Sequence, residues 1–321
     1  MAKKPHRKSS HRSRVSVALA TCNGEAFLAE LLDSIARQSY RVLEVVAVDD
    51  ASDDATYDVL KLYRSSFKLR TYKNKKRLGY VANFERAISL CKGDYIALAD
   101  QDDIWLPEKV ETLLNAIKEK SLVCSDLRVV DERGETIADS FREYQGLAIP
   151  PEGDEFRYLA LKNYVTGSSL LFRRGLQDRA VPFPTELLPH DWWLALHASC
   201  ARGIRYVDKP LTLYRQHSDN AIGAKRRLTI ADAIRFGLST GGRSNAYEEE
   251  RKRFLYLLER GVYPNADRRE YLNDLVRYCD SHLNSRIHTD AVKIAYRYRD
   301  VFFPGMGPLK RAMFLLGKLV G

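Results

Sequence analysis

Three aspartates stand within four residues directly after an apolar run, and they are the strongest candidates for chemistry in the sequence. Asp100, Asp102 and Asp103 follow the run at 95–99 and precede Pro107. Carboxylates this close repel one another, so the cluster is unfavourable unless a positive charge lies among them. A divalent ion held by one or two carboxylates and by substrate phosphates supplies that charge. The alternative is a solvated acidic turn that caps a helix near Pro107. The preceding apolar strand favours the metal.

A second acidic group follows the apolar run at 42–48. It consists of Asp49, Asp50, Asp53 and Asp54 around Ala51 and Ser52. A carboxylate at a strand end can accept a hydrogen bond from a base N–H or a ribose hydroxyl. The same segment can also cap a helix that begins at Ala55, and the two roles are compatible if Asp50 contacts the ligand. No Gly-x-Gly-x-x-Gly follows the first strand, which argues against a dinucleotide-binding fold.

Asp191 and His217 are two further candidates. Asp191 lies between His190 and two tryptophans. Aromatic neighbours can desolvate a carboxylate and raise its basicity, which suits a general base acting on a sugar hydroxyl. A structural turn with two core tryptophans explains the same pattern equally well. His217 is suited to ligating a metal or contacting a phosphate, and a structural role explains it too.

The elements that must position these residues follow an alternating pattern. Apolar runs predict strands at 15–20, 42–48, 68–72 and 95–99, and helical spacing predicts helices at 27–35, 56–63 and 79–90. Alternation of this kind indicates a parallel, doubly wound sheet with ligands at the carboxyl ends of its strands. Further strands are expected at 121–130, 168–172 and 204–214. Helices are expected at 228–236, 247–259, 268–282 and 290–303.

Composition excludes several classes of protein. Apolar residues make up 45% of the chain and charged residues 29%, a balance typical of a globular chain and not of a disordered or fibrous one. No apolar stretch reaches the roughly 18 residues that a membrane-spanning helix needs. The five cysteines are an odd number with no close pair. This pattern argues against a disulfide scaffold or a zinc site and fits a reducing compartment.

The net charge of +10 is concentrated at the two ends of the chain. Residues 1–14 hold six Lys/Arg and no acid, and residues 221–321 hold 19 Lys/Arg and 11 Asp/Glu. No nucleic-acid-binding pattern accompanies this charge, so we expect no nucleic-acid partner. Residues 307–321 mix basic and apolar side chains, which suits an anionic membrane surface, although packing on the protein is the alternative. We expect a basic disordered arm at 1–14, a main domain at 15–222 and a helical subdomain at 223–321.

Taken together, four segments resemble glycosyltransferase family 2, which has the GT-A fold. VSVALATCN at 15–23 is similar to the family's first strand and turn, and VDDASDD at 48–54 resembles its Val-Asp-Asp-Gly-Ser-Thr-Asp. NKKRLGYVAN at 74–83 resembles its Asn-x-x-Asn-x-Gly, and ADQDDIWLP at 99–107 carries its Asp-x-Asp. A rhamnosyltransferase-like branch of the family has residues similar to Gln101, to the segment 190–193 and to the pair at 216–217. Ala51 and Arg77 depart from the common pattern, which has Gly and Asn there.

The resemblance implies a fold and a set of site residues. The fold is α/β, with a Rossmann-like, mostly parallel sheet flanked by helices and a helical C-terminal extension. The implied donor-binding residues are Thr21, Asn23, Asp50, Arg77, Asn83, Asp100 and Gln101. The implied ligands of a divalent metal, Mn²⁺ or Mg²⁺, are Asp102 and His217. Asp191 is the implied catalytic base, and Trp192 and Trp193 are implied on the acceptor side.

The implied reaction is inverting transfer of a sugar, with rhamnose among the candidates. The donor is a nucleotide-diphospho-sugar, and the acceptor is a hydroxyl of a glycan or lipid-linked glycan in cell-surface polysaccharide synthesis. The enzyme is expected in the cytoplasm, at the inner face of the membrane. A metal-dependent nucleotidyltransferase and a non-catalytic module that binds a sugar nucleotide are the alternatives. Released pyrophosphate would identify the first alternative, and absence of donor hydrolysis the second.

Overall fold

The computed structural model describes residues 13–65, 68–218, 241–284 and 288–307. Within these ranges the chain forms a nine-stranded sheet with helices on both faces. Most of the expected arm at 1–14 and of the tail at 307–321, the helix expected at 228–236, and the boundary between residues 222 and 223 lie outside the described residues. Arg14, at the end of the expected arm, is described and pairs with Asp94 at 2.9 Å. None of the described helices is both long and apolar enough to cross a membrane.

The first part of the chain forms the parallel part of the sheet. Its elements are β1 (Val15–Thr21), α1 (Leu28–Ala36), β2 (Glu44–Asp49), α2 (Thr56–Leu62), β3 (Leu69–Lys73), α3 (Tyr80–Leu90) and β4 (Tyr95–Asp100). The strands pair in the order β3-β2-β1-β4, all parallel. The register places Thr21 beside Asp49 and Ala20 beside Asp100. The carboxyl ends of three strands therefore meet at one edge, as expected for a ligand site.

The second part makes the sheet mixed. Its elements are β5 (Ile104–Trp105), α4 (Lys109–Ile117), β6 (Leu122–Val130), β7 (Thr136–Ala138), α5 (Phe141–Gln145), α6 (Glu155–Leu161), β8 (Leu170–Arg173), α7 (Gln177–Ala180), α8 (His190–Ser199) and β9 (Ile204–Arg215). The sheet continues from β4 as β8-β6-β9-β5. β8 runs antiparallel to both β4 and β6, so the doubly wound parallel arrangement stops at β4. β6 and β9 are parallel, and the short strands β5 and β7 pair antiparallel at the margins.

Two apolar layers enclose the sheet, because successive residues of a strand point to opposite faces. Val17, Val45 and Ala47 pack with α1, α2 and α4 on one face. Ala18 and Val46 pack with α3, α6 and α8 on the other. Burial on both faces explains why β1, β2 and β4 are almost continuously apolar.

The C-terminal helices join the second of these layers. They are α9 (Gly241–Glu259), α10 (Ala266–Asn284), α11 (Thr289–Arg297) and α12 (Arg299–Phe302). Phe254 and Tyr271 are buried in the same core as the residues of α6 and α8. The Tyr271 hydroxyl donates to the Arg157 carbonyl at 3.0 Å, and Arg157 pairs with Asp267 at 2.9 Å. The described helices are therefore packed against the sheet domain.

Candidate active site

Asp50 anchors the loop that leads into α3. Its carboxylate accepts hydrogen bonds from Asn74 Nδ2 at 2.6 Å, from the Leu78 N–H at 2.8 Å and from the Gly79 N–H at 2.9 Å. The side chain is almost fully buried. Gly79 has a φ of +85°, a conformation that glycine adopts without steric cost. Asp50 therefore fixes the edge of the site where the nucleotide base is expected.

Asn23 joins the loops that follow β1 and β2. Its N–H donates to Ser52 Oγ at 2.9 Å, and its Oδ1 accepts the Asp53 N–H at 3.0 Å. Arg77 reaches the same loop through an exposed ion pair with Asp53 at 2.8 Å. Ala51 has a φ of +55°, a left-handed conformation in which a Cβ is unfavourable. This geometry explains why glycine is common at this position in the related motif.

Thr21, Asn83 and Gln101 position the strand ends. Thr21 is 1% exposed and Asn83 is 2% exposed. Asn83 Nδ2 donates to the Val48 carbonyl at 2.9 Å. Gln101 accepts the Cys22 N–H at 2.8 Å and donates to the Cys22 carbonyl at 2.9 Å. The Thr21 hydroxyl donates to Asp49 Oδ1 at 3.4 Å, so all three side chains hold the strand ends and their loops together. Their expected contacts with the donor stay a prediction.

The structure brings together the two residues expected to hold a metal. Asp102 Oδ2 lies 2.9 Å from His217 Nε2, although 115 positions separate the two residues in the chain. Their side chains are 14% and 10% exposed. The His217 ring also packs against Phe27, with centroids 4.9 Å apart. Asp102 and His217 thus form a carboxylate–imidazole pair at the edge of the site.

Arg215, which sequence reasoning missed, holds this pair in place. It is buried, and its Nε donates to the Asp102 carbonyl at 2.9 Å. Its backbone N–H donates to Asp103 Oδ1 at 3.1 Å, and its Nη2 pairs with Glu30 at 2.7 Å. One guanidinium therefore joins the end of β9, the loop after β4 and helix α1. The only signal in the sequence is its place two residues before His217.

A buried lysine lies beside the acidic loop. Lys109 is 0% exposed, and its Nζ donates to the Ser168 carbonyl and, at 2.8 Å, to Thr212 Oγ1. The same ammonium lies 3.7 Å from the centroid of the Trp105 ring. Burial lowers the pKa of Lys109 and raises that of Asp103 well above its usual range. The charges of Asp103 and Asp100 act in the opposite direction on Lys109 and favour its ammonium form, so Lys109 is a close neighbour of the acidic loop.

Asp191 lies in the first turn of α8. Its Oδ2 accepts the Gly167 N–H at 2.9 Å, and its Oδ1 accepts Asn163 Nδ2 at 3.3 Å and the Trp192 N–H at 2.6 Å. Burial raises the pKa of the Asp191 carboxyl to about 6. A carboxylate of this basicity can accept a proton near neutral pH.

Asp191 lies close to the first residue of the acidic loop, Asp100. Burial raises the pKa of Asp100, and the charges of Asp102 and then Asp191 raise it further. The charge of Asp191 also contributes to a raised pKa of Tyr80, after burial of the phenol. The Gly167 N–H donates to Asp191, and Asp100 Oδ2 lies 3.8 Å from the position that a Cβ on Gly167 would occupy, so Asp100 and Asp191 both lie next to this glycine.

The two tryptophans expected on the acceptor side differ in burial. Trp193 is 1% exposed, and its Nε1 donates to the Ala180 carbonyl at 2.6 Å. Trp192 is partly buried; its Nε1 donates to the Leu159 carbonyl at 2.6 Å, and Arg253 lies 4.7 Å from its ring. The expected acceptor-side role of Trp193 is therefore corrected to a core role, because its indole has almost no free surface. Both side chains fix the helix that carries Asp191.

The side chains of Asp102 and His217 are compatible with binding a hard divalent cation. Across the described ranges, no group of three or more His, Cys, Asp or Glu side chains is arranged to hold a metal. The pair of Asp102 and His217 provides two protein ligands. Cations such as Mg²⁺ are commonly bound by one or two carboxylates together with substrate phosphates, so the protein need not supply a full shell.

Comparison with known proteins gives the class of the chain. The family model of Glycosyl transferase family 2 matches residues 16–179, just over half of the chain. The chain belongs to this family.

Two curated relatives of the chain are bacterial proteins. An uncharacterized protein of Mycobacterium tuberculosis is 28% identical over 211 residues, which cover 64% of this chain and 59% of that protein. The chain thus matches about three fifths of the length of this relative. The dTDP-rhamnosyl transferase RfbG of Shigella flexneri is 26% identical over 225 residues, which cover 64% of this chain and 74% of that protein.

Solved structures share the fold. The structure of S. aureus TarS in complex with UDP-GlcNAc aligns with a TM-score of 0.56 at 18% identity, over 95% of this chain and 81% of that chain. The mannosyltransferase PcManGT from Pyrobaculum calidifontis, in complex with GDP-Man and Mn²⁺, aligns with a TM-score of 0.51 at 19% identity, over 96% of this chain and 80% of that chain. The expected GT-A fold is confirmed.

Proposed function

We propose that the chain is a metal-dependent, inverting glycosyltransferase that uses a nucleotide-diphospho-sugar donor. The observation that carries the proposal is that Asp191 and Asp100 both lie next to Gly167, while the Asp102–His217 pair lies on the same acidic loop as Asp100. Burial raises the pKa of the Asp191 carboxyl to about 6. One group is suited to accepting a proton, and the other to holding a cation beside a diphosphate. The family to which the chain belongs supports the same class of reaction.

The chain's own groups account for a single displacement. Ionised Asp191 accepts the proton of the acceptor hydroxyl as that oxygen forms a bond to the anomeric carbon. The bond from this carbon to the diphosphate oxygen breaks, and the nucleoside diphosphate leaves with the electron pair. Attack opposite the leaving group inverts the anomeric configuration. Asp102 and His217 would hold the divalent ion, which neutralises charge on the leaving diphosphate.

We propose the nucleotide pocket on the rim formed by Asn23, Asp50 and Arg77. Asp50 is buried and accepts three hydrogen bonds from the protein, so a base or ribose group would use the acceptor capacity that remains on its carboxylate. Arg77 supplies an exposed cation for the diphosphate. Asp100 lies between this rim and Asp191, so we assign it to the ribose or to the sugar.

Rhamnose is the sugar that we propose first, with a glycan or lipid-linked glycan of the cell surface as acceptor. The similarity to the Shigella dTDP-rhamnosyl transferase and the segment 190–193 support this choice. We also propose that the enzyme works in the cytoplasm at the membrane surface, because the basic and apolar residues of 307–321 suit an anionic interface.

Product analysis tests the proposed class. The full chain is incubated with Mn²⁺ and with dTDP-rhamnose, UDP-glucose, UDP-GlcNAc or GDP-mannose, and the released nucleotide is identified by chromatography. Release of a nucleoside diphosphate from one donor, lost on addition of EDTA, is the expected result. Release of pyrophosphate from a nucleoside triphosphate and a sugar phosphate would indicate a nucleotidyltransferase. Binding of a donor without any turnover, with acceptors present, would indicate a binding module.

A further inference from the structure

His190 is a buried histidine whose polar atoms are not satisfied by the protein. The side chain is 5% exposed, and neither Nδ1 nor Nε2 has a hydrogen-bond partner within the described part of the chain. By contrast, the buried His288 bonds the Ser281 carbonyl through Nδ1 at 2.9 Å. A buried donor or acceptor without a partner costs about 1–3 kcal/mol, so such groups are uncommon and need an explanation.

The His190 ring lies next to Gly167, Phe84 and Tyr80. It stacks on Phe84, with centroids 4.0 Å apart, and it lies edge-on to Tyr80 at 6.0 Å. His190 Nε2 is 3.0 Å from the position that a Cβ on Gly167 would occupy, and Asp100 Oδ2 is 3.8 Å from the same position. The Gly167 N–H is the group that donates to Asp191. The absence of a side chain at Gly167 therefore lets an imidazole nitrogen and a carboxylate converge beside the base.

The protonation state of the His190 ring limits the chemical class of ligand that it can bind. Burial lowers the pKa of His190 to about 3, so the imidazole is neutral at physiological pH. A neutral imidazole has one N–H donor and one acceptor nitrogen, and it adds no positive charge for a phosphate. A hydroxyl group both donates and accepts, so it can donate to the Asp100 carboxylate and accept from the His190 N–H. A sugar ring presents such hydroxyls, whereas the diphosphate does not.

We propose that His190 and Asp100 form a hydroxyl-binding subsite for the transferred sugar, with His190 as a determinant of donor specificity. This inference rests on the proposed function, since it concerns the donor of the same reaction. Tyr80 borders the ring and is 41% exposed. Because an exposed side chain can rotate without disturbing the core, the sugar can reach the ring past Tyr80.

The experiment separates sugar recognition from nucleotide recognition. Isothermal titration calorimetry with Mn²⁺ measures the affinities of dTDP and dTDP-rhamnose, UDP and UDP-glucose, and UDP and UDP-GlcNAc. The variant is His190→Phe, which keeps a ring on Phe84 and removes both nitrogens. His197→Phe is the matched control, because His197 lies two turns along the same helix with Nε2 likewise unsatisfied.

The expected result is a change in the ratio of two affinities, that for the sugar nucleotide and that for its nucleoside diphosphate. For the cognate pair, the affinity of the sugar nucleotide relative to its nucleoside diphosphate falls about 5- to 30-fold in His190→Phe, the range expected for one buried hydrogen bond. The affinity for the nucleoside diphosphate itself stays within about twofold. The melting temperature does not fall, because an unsatisfied polar ring has been replaced by an apolar one. His197→Phe leaves the ratio unchanged.

Gly167→Ala provides a second variant that leaves His190 in place. The new methyl group would lie 3.0 Å from Nε2 and 3.8 Å from Asp100 Oδ2, so it should occupy the subsite and lower the same ratio. If His190→Phe folds and its ratio of sugar-nucleotide affinity to nucleoside-diphosphate affinity is unchanged, this inference is overturned and the proposed function is not. If His190→Phe does not fold, an unchanged ratio in Gly167→Ala has the same meaning. Equal loss of nucleotide and sugar nucleotide would also overturn it, in favour of a structural role. Failure of the wild type to bind any of these nucleotides would instead contradict the proposed function.

Discussion

Replacing Asp191 by asparagine is expected to stabilise the folded protein above pH 6 and to remove most of its turnover. Burial raises the pKa of the carboxyl to about 6 from its ordinary value of 3.8. A difference of about two units corresponds to roughly 3 kcal/mol of lost stability once the carboxyl is ionised in both the folded and the unfolded state. This destabilising carboxyl lies at the position where the proposed reaction needs a base.

The pH dependence of this effect has a definite sign. Below about pH 4 the carboxyl is protonated in both states and the cost is absent. Between about pH 4 and pH 6 the folded protein keeps the proton and the unfolded chain has lost it, so the free energy of unfolding falls as the pH rises. Above pH 6 the full loss remains. Asparagine does not titrate, so the advantage of the variant should appear across this window.

The hydrogen bonds of Asp191 reduce the gain. The amide oxygen of asparagine can accept from the Gly167 N–H, but the amide nitrogen then faces the donors of Asn163 or Trp192. One lost hydrogen bond costs about 1 kcal/mol. The net expectation is a variant about 2 kcal/mol more stable than the wild type at pH 8 and nearly equal to it at pH 4.5.

Urea unfolding at these two pH values measures the effect, with Asp178→Asn as control because Asp178 is an exposed acid on a neighbouring helix. The kcat of Asp191→Asn should fall at least about 10²-fold, with donor affinity unchanged. A variant that is less stable than the wild type at pH 8 would refute the reasoning, since it would mean that the N–H donors favour the ionised carboxyl more than burial opposes it.

Three further changes probe other parts of the account. Ala51→Gly should raise the free energy of unfolding by about 0.5–1 kcal/mol, because the φ of +55° suits glycine, and urea unfolding that shows a loss would contradict this. Lys109→Met should cost about 1–3 kcal/mol by leaving the buried Ser168 carbonyl and Thr212 hydroxyl without their donor, whereas exposed Lys209→Met should change urea stability little. The full chain should co-sediment with anionic vesicles at low salt, and a chain ending at Phe303 should not; equal pelleting of the two would assign the tail to the protein core.

The strand ends at the site could be predicted because the sequence pattern that marks each of them lies within a few residues. An apolar run followed by aspartates marks the carboxyl end of a parallel strand, and the register sets Thr21 beside Asp49 and Ala20 beside Asp100. The loops around Asp50 and Asp102 follow directly from that arrangement. The pattern within short segments was therefore sufficient to predict the parallel part of the sheet, β1 to β4.

Contacts between distant segments could not be predicted in the same way. Arg215 binds Glu30 across 185 positions, and Gln101 binds Cys22 across 79. The reversal of β8 depends on its pairing with both β4 and β6, which its four residues do not encode by themselves. Whether Trp192 or Trp193 faces the core depends on the rotation of α8 against its neighbours. These features are set by packing, for which the sequence pattern holds no direct signal.

Metal-dependent donor binding by Asp102 is the most direct test of the central claim. Calorimetric titration of the cognate sugar nucleotide is compared with Mn²⁺ and with EDTA, for the wild type, for Asp102→Asn and for the surface control Asp58→Asn. The account predicts that Mn²⁺ strengthens binding at least about tenfold in the wild type and in Asp58→Asn, and hardly at all in Asp102→Asn, because hard divalent cations need an anionic oxygen ligand. An equal effect of Mn²⁺ on Asp102→Asn and the wild type would contradict it.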